Sequence, residues 1–303
     1  MLSPGFFRRL AFLTAFFAYL QIALGGVVRV TDSGLGCPDW PLCNGRPYPA
    51  PDIHSIIEYS HRTVGTVTGV LLILTVIAAW IVFRKTRPFV AWLATGSLVA
   101  IAAEGAIGGV VVVNELESWL VLVHLGLAMI ILGFLIATAV MSLPESPGVG
   151  DSMLRRLATS GAVVTFLLLL TGSSVVASEA EETCHAWPLC GSGFAFDFAG
   201  ASAYTMLHRG SVLVIGVFLV YVLMRAMREA PTRRVAVATL VVFGLQVAVG
   251  AGSALTDNAL FNGLHVAIAT LVWSGVLLIG LLILPRSDRA AALSRLAVDK
   301  RPA

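Results

Sequence analysis

Charge is what this sequence has least of. Its 20 Lys and Arg and 17 Asp and Glu make up 12% of 303 residues, against about 25% in an ordinary soluble domain. With 57% hydrophobic residues and a mean hydropathy of +0.89, such a chain cannot keep a water-facing surface wet. A soluble globular protein is thereby excluded. No tract of like charge is present and the formal net charge is only +3, which excludes a nucleic-acid partner. Cysteines are few, four in all, and no suitable set of histidines accompanies them as a zinc site would need. The apolar runs do not alternate in and out as barrel strands do, so spans here are helical.

What is present is a series of long apolar stretches. A bilayer core needs about 20 apolar residues per helix. Eight stretches qualify, near 8–28, 57–83, 89–112, 118–142, 155–177, 205–226, 233–255 and 260–284. The first follows Arg8 and Arg9 as a signal peptide would, but it is too long for a typical signal core and ends without a convincing cleavage site. It reads as a retained span. Arg8, Arg9, Arg84, Lys85, Arg87, Arg155, Arg156, Arg225, Arg228, Arg233, Arg234, Arg286 and Arg289 all fall on one side. The positive-inside rule puts that side, and both termini, in the cytoplasm. The polar loops near 29–55 and 178–204 then face outward.

The chain also repeats itself. Cys37-Pro38-Asp39-Trp40-Pro41-Leu42-Cys43 recurs as Cys184-His185-Ala186-Trp187-Pro188-Leu189-Cys190. His61-Arg62 on the second span matches His208-Arg209 on the sixth, and His124 on the fourth matches His265 on the eighth. Glu104 on the third span stands in a Gly-rich context like that of Gln246 on the seventh. Four spans per half give both halves one orientation, so the repeat is parallel, about an axis along the membrane normal. The expected fold is all-α: eight transmembrane helices in two four-helix bundles, with halves 1–143 and 154–286, a cytoplasmic linker 144–153 and a cytoplasmic tail 287–303.

All four cysteines lie in the outward loops. The outer compartment is oxidising, so one disulfide per loop is expected, Cys37 with Cys43 and Cys184 with Cys190. Each bridge is either a staple over the bundle mouth or a pair that exchanges with outside thiols.

Four of the six histidines, His61, His124, His208 and His265, fall inside spans. Ionisable residues at membrane depth are costly and mark function. Neutral imidazole is a good axial ligand for haem iron, and two imidazoles facing across a bundle can clamp one haem from both faces. His61 pairs with His124, and His208 with His265, toward the outer leaflet. The forks of Arg62 and Arg209 suit haem propionates; the alternative is that they anchor at the headgroups.

The halves are not identical. Glu58 lies one turn before His61, whereas Thr205 stands before His208. A carboxylate in one half only suggests that this half performs the chemistry while the other holds a permanent haem. The competing reading is a carboxylate favoured by a helix N-terminus. A di-iron carboxylate bundle would need two Glu-x-x-His motifs, and the chain has one.

The Cys-x-x-Trp-Pro-Leu-Cys loop, Glu58-Tyr59-Ser60-His61-Arg62, the later His124, and their recurrence resemble the haem A synthase family over about residues 8 to 284. The resemblance implies an oxidoreductase that converts the C8 methyl of haem O to a formyl group by successive hydroxylations, giving haem A. It implies substrate haem at His61 and His124 with Arg62, Glu58 as the acid–base or charge-stabilising group, and a haem B cofactor at His208 and His265 with Arg209. It also implies a multi-pass protein of a bacterial-type plasma membrane. Haem O synthase, an electron acceptor and oxidase assembly factors would be its partners in the pathway. Two alternatives remain from the residues: a di-haem membrane cytochrome exchanging electrons with quinone, and a haem transporter. Spans without matched midplane prolines argue against the transporter.

Overall fold

A computed structural model of the chain describes residues 2–178, 180, 184, 186–190, 198–256 and 258–286. The tail at 287–303 and His185 lie outside the described residues. Among the described residues eight α-helices account for the fold: α1 (Pro4–Val30), α2 (Ile53–Phe83), α3 (Pro88–Val113), α4 (Ser118–Met141), α5 (Ser152–Ala177), α6 (Ser202–Ala226), α7 (Arg233–Thr256) and α8 (Ala259–Leu282). Each is long and apolar enough to cross a membrane. At 1.5 Å per residue even the shortest is about 36 Å long, enough for a hydrocarbon core of about 30 Å. The chain is an eight-span membrane protein.

Several helices begin earlier than hydropathy places them, and the cause is capping. The Ser3 hydroxyl accepts from the Phe6 N–H and Pro4 opens α1. The Asp52 carboxylate accepts from Ser55 N–H at 2.9 Å, and Asp151 does the same for Leu154 at 3.0 Å. These polar first turns satisfy orphan backbone donors but carry too little hydrophobicity to register as span. The N–H groups of Leu154 and then the Arg225 guanidinium, 2.5 Å away, hold the Asp151 carboxyl below the usual carboxylate range.

In the first half, α1 packs on α2 and α4, and α3 closes the ring by packing on both. In the second half, α5 packs on α6 and α8, and α7 on α6 and α8. The bundles meet where α8 lies against α1 and α4, and α4 against α5. Trp273 of α8 is the bolt: its indole N–H donates to the Ala162 carbonyl at 3.0 Å, and its ring lies against Gly133 of α4, where a Cβ would come within 2.9 Å. Leu72, Met129, Leu132 and Leu135 surround it in one core cluster. Between helices hydroxyls serve as glue, as Thr14 and Thr75 do at 2.9 Å. Large apolar side chains such as Val99, Leu213 and Val214 point outward, which lipid tolerates and water would not.

The segment joining the halves is tied down. Ser146 and Arg286 exchange backbone hydrogen bonds of 2.9 and 2.8 Å, and Val149 N–H donates to the Ile283 carbonyl. Gly148, at φ +76°, allows this closeness, because a Cβ there would stand 2.7 Å from the Ile283 oxygen.

Candidate functional site

Each bundle is roofed at one end by a disulfide loop. Cys37 and Cys43 are bonded with Cα atoms 4.4 Å apart, as are Cys184 and Cys190 at 4.8 Å. The first loop is held from below by α2. The Arg62 guanidinium donates to the carbonyls of Cys37 (2.7 Å), Asp39 (2.8 Å) and Leu42 (2.7 Å), and it pairs with Glu58. The other Glu58 oxygen accepts from the Cys37 N–H at 2.6 Å. The Ser55 hydroxyl adds a bond to the Gly36 carbonyl. Within the loop the Asp39 carboxylate accepts from the N–H groups of Gly45 and Asn44, chiefly Gly45, which hold its pKa below the usual range.

The second roof repeats the plan with fewer ties. Arg209 donates to the carbonyls of Ala186 (2.7 Å) and Pro188 (3.2 Å). Thr205, in the position of Glu58, donates to the Ala180 carbonyl at 3.3 Å. Glu58 is buried at 3% exposure, and it does not cap α2, since Asp52 does. Both arginines thus spend their donors on loop carbonyls, and Glu58 spends both oxygens on the loop and on Arg62.

Beneath the roofs stand the four histidines, each with a polar partner and a glycine from the preceding helix. Gln21 Nε2 lies 3.0 Å from His61 Nε2. Glu104 Oε1 lies 3.0 Å from His124 Nδ1, close enough for a charge pair but not aligned as a hydrogen bond. The Thr171 hydroxyl lies 2.9 Å from His208 Nδ1. Gln246 Nε2 lies 3.0 and 3.2 Å from the two ring nitrogens of His265. A Cβ on Gly25, Gly108, Gly172 or Gly250 would come within 3.3, 3.2, 3.1 and 2.7 Å of the Cε1 of His61, His124, His208 and His265 respectively. Each ring is seated on bare helix backbone.

In the second bundle the rings of His208 and His265 have centroids 6.5 Å apart and cross at 80°. His61 and His124 stand on α2 and α4 of the first bundle. Buried polar atoms without a hydrogen-bond partner concentrate here: Gln21 Oε1, His61 Nδ1, Glu104 Oε2 and Gln246 Oε1. Among the described residues no three His, Cys, Asp or Glu gather closely enough to hold a bare metal ion. Two opposed imidazoles suit a metal that brings its other ligands with it.

The structure brings His208 and His265 together, sets His61 and His124 in the other bundle, and adds the partners that sequence reasoning missed. Glu104 and Gln246 were visible as matched residues, but not as neighbours of His124 and His265. Gln21 and Thr171 were not singled out. A signal existed: Gln21-x3-Gly25, Glu104-x3-Gly108 and Gln246-x3-Gly250 share one spacing, which puts partner and seat one turn apart on one helix face. On α5 the seat Gly172 is present, but Leu168 occupies the polar position and Thr171 substitutes from beside it.

Beside α3 runs an apolar groove of about 500 Å³, lined by Trp40, Ile101, Gly105, Gly109 and Val110 among others. Trp40 of the roof lies directly on Gly109, where a Cβ would stand 3.0 Å from its ring.

Fold and site together define a class, the multi-span helical membrane proteins with two glycine-seated imidazoles in each of two four-helix bundles. Within it, the chain belongs to the COX15-CtaA family, described as cytochrome oxidase assembly protein, whose pattern matches residues 8–56 and 52–277. It is 29% identical over 280 residues to a protein named Heme A synthase from an Exiguobacterium species, covering 89% of this chain and 91% of the relative. Relatives of the same name from Shouchella clausii (28% identical, 83% and 88% covered) and Geobacillus thermodenitrificans (27%, 91% and 90%) are similar along nearly their whole length.

Proposed function

We propose that this chain is a haem A synthase, which oxidises the C8 methyl of haem O to a formyl group. The observation that carries the reading is the presence of two imidazoles on glycine seats in each half, with carboxylates beside them in one half only. His208 and His265, whose ring centroids are 6.5 Å apart, would hold a haem iron through their ring nitrogens, and His61 and His124 would do the same in the other half. The glycine seats and the unpartnered Gln and His atoms fit a flat, bulky occupant between the rings.

The N-terminal half, residues 1–143, takes haem O as substrate between His61 and His124. The C-terminal half, 154–286, takes haem B between His208 and His265, where it supplies one-electron redox chemistry when bound. Given an external electron acceptor, each hydroxylation would pass two electrons from the methyl carbon to that acceptor, take up the oxygen of one water and release two protons, and the second gives a gem-diol that loses water to the aldehyde. In the substrate half, Arg62 and Glu58 fix the Cys37–Cys43 roof over the reacting edge and keep bulk water from it. Glu58 lies one turn from His61, close enough to take or return a proton at its Oε1 or Oε2 once a substrate propionate competes for Arg62. The substrate's long isoprenoid tail leaves the bundle through the groove beneath Trp40 and beside Gly105. The roofs face outward across a plasma membrane, with Arg8, Arg84 and Arg155 on the cytoplasmic side.

The test is to co-express the chain with a haem O-producing enzyme in a host that lacks haem A, then to separate extracted haems with mass detection. Haem A or its hydroxylated intermediate is the expected product. Haem O left unconverted by a folded, haem-bearing chain supplied with an electron partner would point instead to a di-haem electron carrier.

A further inference from the structure

Glu104 is a buried carboxylate that the proposed reaction leaves unused. Its side chain is 13% exposed on α3. Oε1 lies 3.0 Å from His124 Nδ1, and Oε2 has no hydrogen-bond partner. Gly108, one turn further along, offers no side chain to hinder rotation of the imidazole into line with Oε1. The matched position on α7 is Gln246, against His265. His61 and His208 face Gln21 and Thr171. Among the four histidines, therefore, only His124 has a carboxylate as its partner from the preceding helix.

A carboxylate and an amide do different things to an imidazole. Either can fix the ring's orientation. A carboxylate that accepts the Nδ1–H also fixes the tautomer, leaves Nε2 for a metal, and raises the ring's donor strength. In a water-poor interior that electrostatic difference is amplified. A carboxylate at membrane depth with one oxygen left unbonded is costly, so a stabilising role in the loaded state accounts for its presence.

We propose that Glu104 is a positioning residue for His124: it orients the ring through Nδ1 and makes this ligand a stronger donor than His265, so that iron in the N-terminal half is held at a lower reduction potential than iron in the C-terminal half. This rests on the reading that both histidine pairs hold haem iron. It does not depend on whether the bound haem is converted.

The experiment is a redox titration of the purified full chain loaded with haem O, followed optically. A His208→Ala chain, retaining only the N-terminal pair, assigns the two waves. Glu104→Gln, which keeps size and shape, is expected to raise the N-terminal midpoint by a tenfold change in the equilibrium, 59 mV for one electron, and to leave the other wave in place. Gln246→Glu is expected to lower the C-terminal midpoint. Glu104→Asp should restore part of the wild-type value. An N-terminal wave unmoved by Glu104→Gln, or both waves moving together, overturns the proposal. If Glu104→Gln cannot hold haem, the Gln246→Glu chain decides, and an unmoved wave there overturns it. A wild-type chain that binds two haems yet makes no haem A defeats the proposed activity and leaves this test standing. A wild type with no haem at His61 and His124 defeats both.

Discussion

The two halves share a plan and differ in its chemistry. Both have a disulfide roof, an arginine tied to roof carbonyls, and two imidazoles seated on glycines. The N-terminal half has Glu58 and Glu104 where the C-terminal half has Thr205 and Gln246. It has Gly105 and Gly109 lining a groove where α7 has Val247 and Ala251. Each substitution in the C-terminal half is the cheaper one in lipid: a hydroxyl or amide for a carboxylate, a filled helix face for an open one. A half that only holds a cofactor needs orientation and nothing more. A half that admits a large substrate and moves protons must retain costly groups and leave space.

The largest expected contrast comes from removing one imidazole from each half. His124→Ala should abolish haem A formation, by more than about a hundredfold, while leaving the C-terminal haem and its low-spin spectrum intact. His265→Ala should remove that spectrum instead. Haem content per chain and the optical spectrum of purified protein read both. A chain in which His124→Ala strips the C-terminal haem would break the division of labour between halves.

A smaller contrast separates Glu58 from Thr205. Acid–base catalysis contributes roughly a hundredfold or more, so Glu58→Gln should lower turnover by about that factor. Thr205→Val should leave turnover within about twofold. Because Glu58 also anchors the Cys37 N–H and Arg62, the thermal midpoint must be measured alongside. A buried pair broken at one partner costs about 3–5 kcal/mol. If Glu58→Gln and Arg62→Gln lower stability and turnover in the same proportion, Glu58 is an anchor of the roof and the chemistry lies elsewhere.

How much of this was legible in advance follows from what kind of information each feature needs. Eight spans follow from hydropathy, because a bilayer demands long apolar helices and little else looks like them. The helix starts did not follow, since Ser3, Asp52 and Asp151 open their helices with polar turns. The histidines and both disulfides follow from residue type and repetition. Gln21 beside His61 and Thr171 beside His208 did not, because those pairs are 40 and 37 residues apart and depend on how two helices are rotated. Arg62 and Arg209 were read as partners for haem propionates; their guanidiniums also donate to roof carbonyls, contacts that the sequence did not specify. Local charge says that an arginine at a helix end will find acceptors, but not which of several acceptors it finds.

The smallest contrast concerns the groove. A Cβ at Gly105 meets nothing within 4 Å, so Gly105→Val gives α3 the residue that α7 carries at Val247 without a clash. Valine is also the better helix former, so the fold should not suffer. The substrate tail arrives from lipid rather than from water, and lipid chains are as apolar as the groove. Transfer into the groove therefore gains little of the roughly 0.8 kcal/mol per CH₂ that burial from water would give. In the proposed function the groove would supply shape, setting the angle at which the macrocycle enters between His61 and His124. Filling it should raise KM for haem O by only about tenfold, with kcat reduced less and the melting temperature unchanged. Val247→Gly, the reciprocal change, should leave KM alone and cost only about 0.4 kcal/mol of stability through helix propensity, since valine is itself a weak helix former. An equal rise in KM from both variants would mean that the tail does not distinguish the two halves.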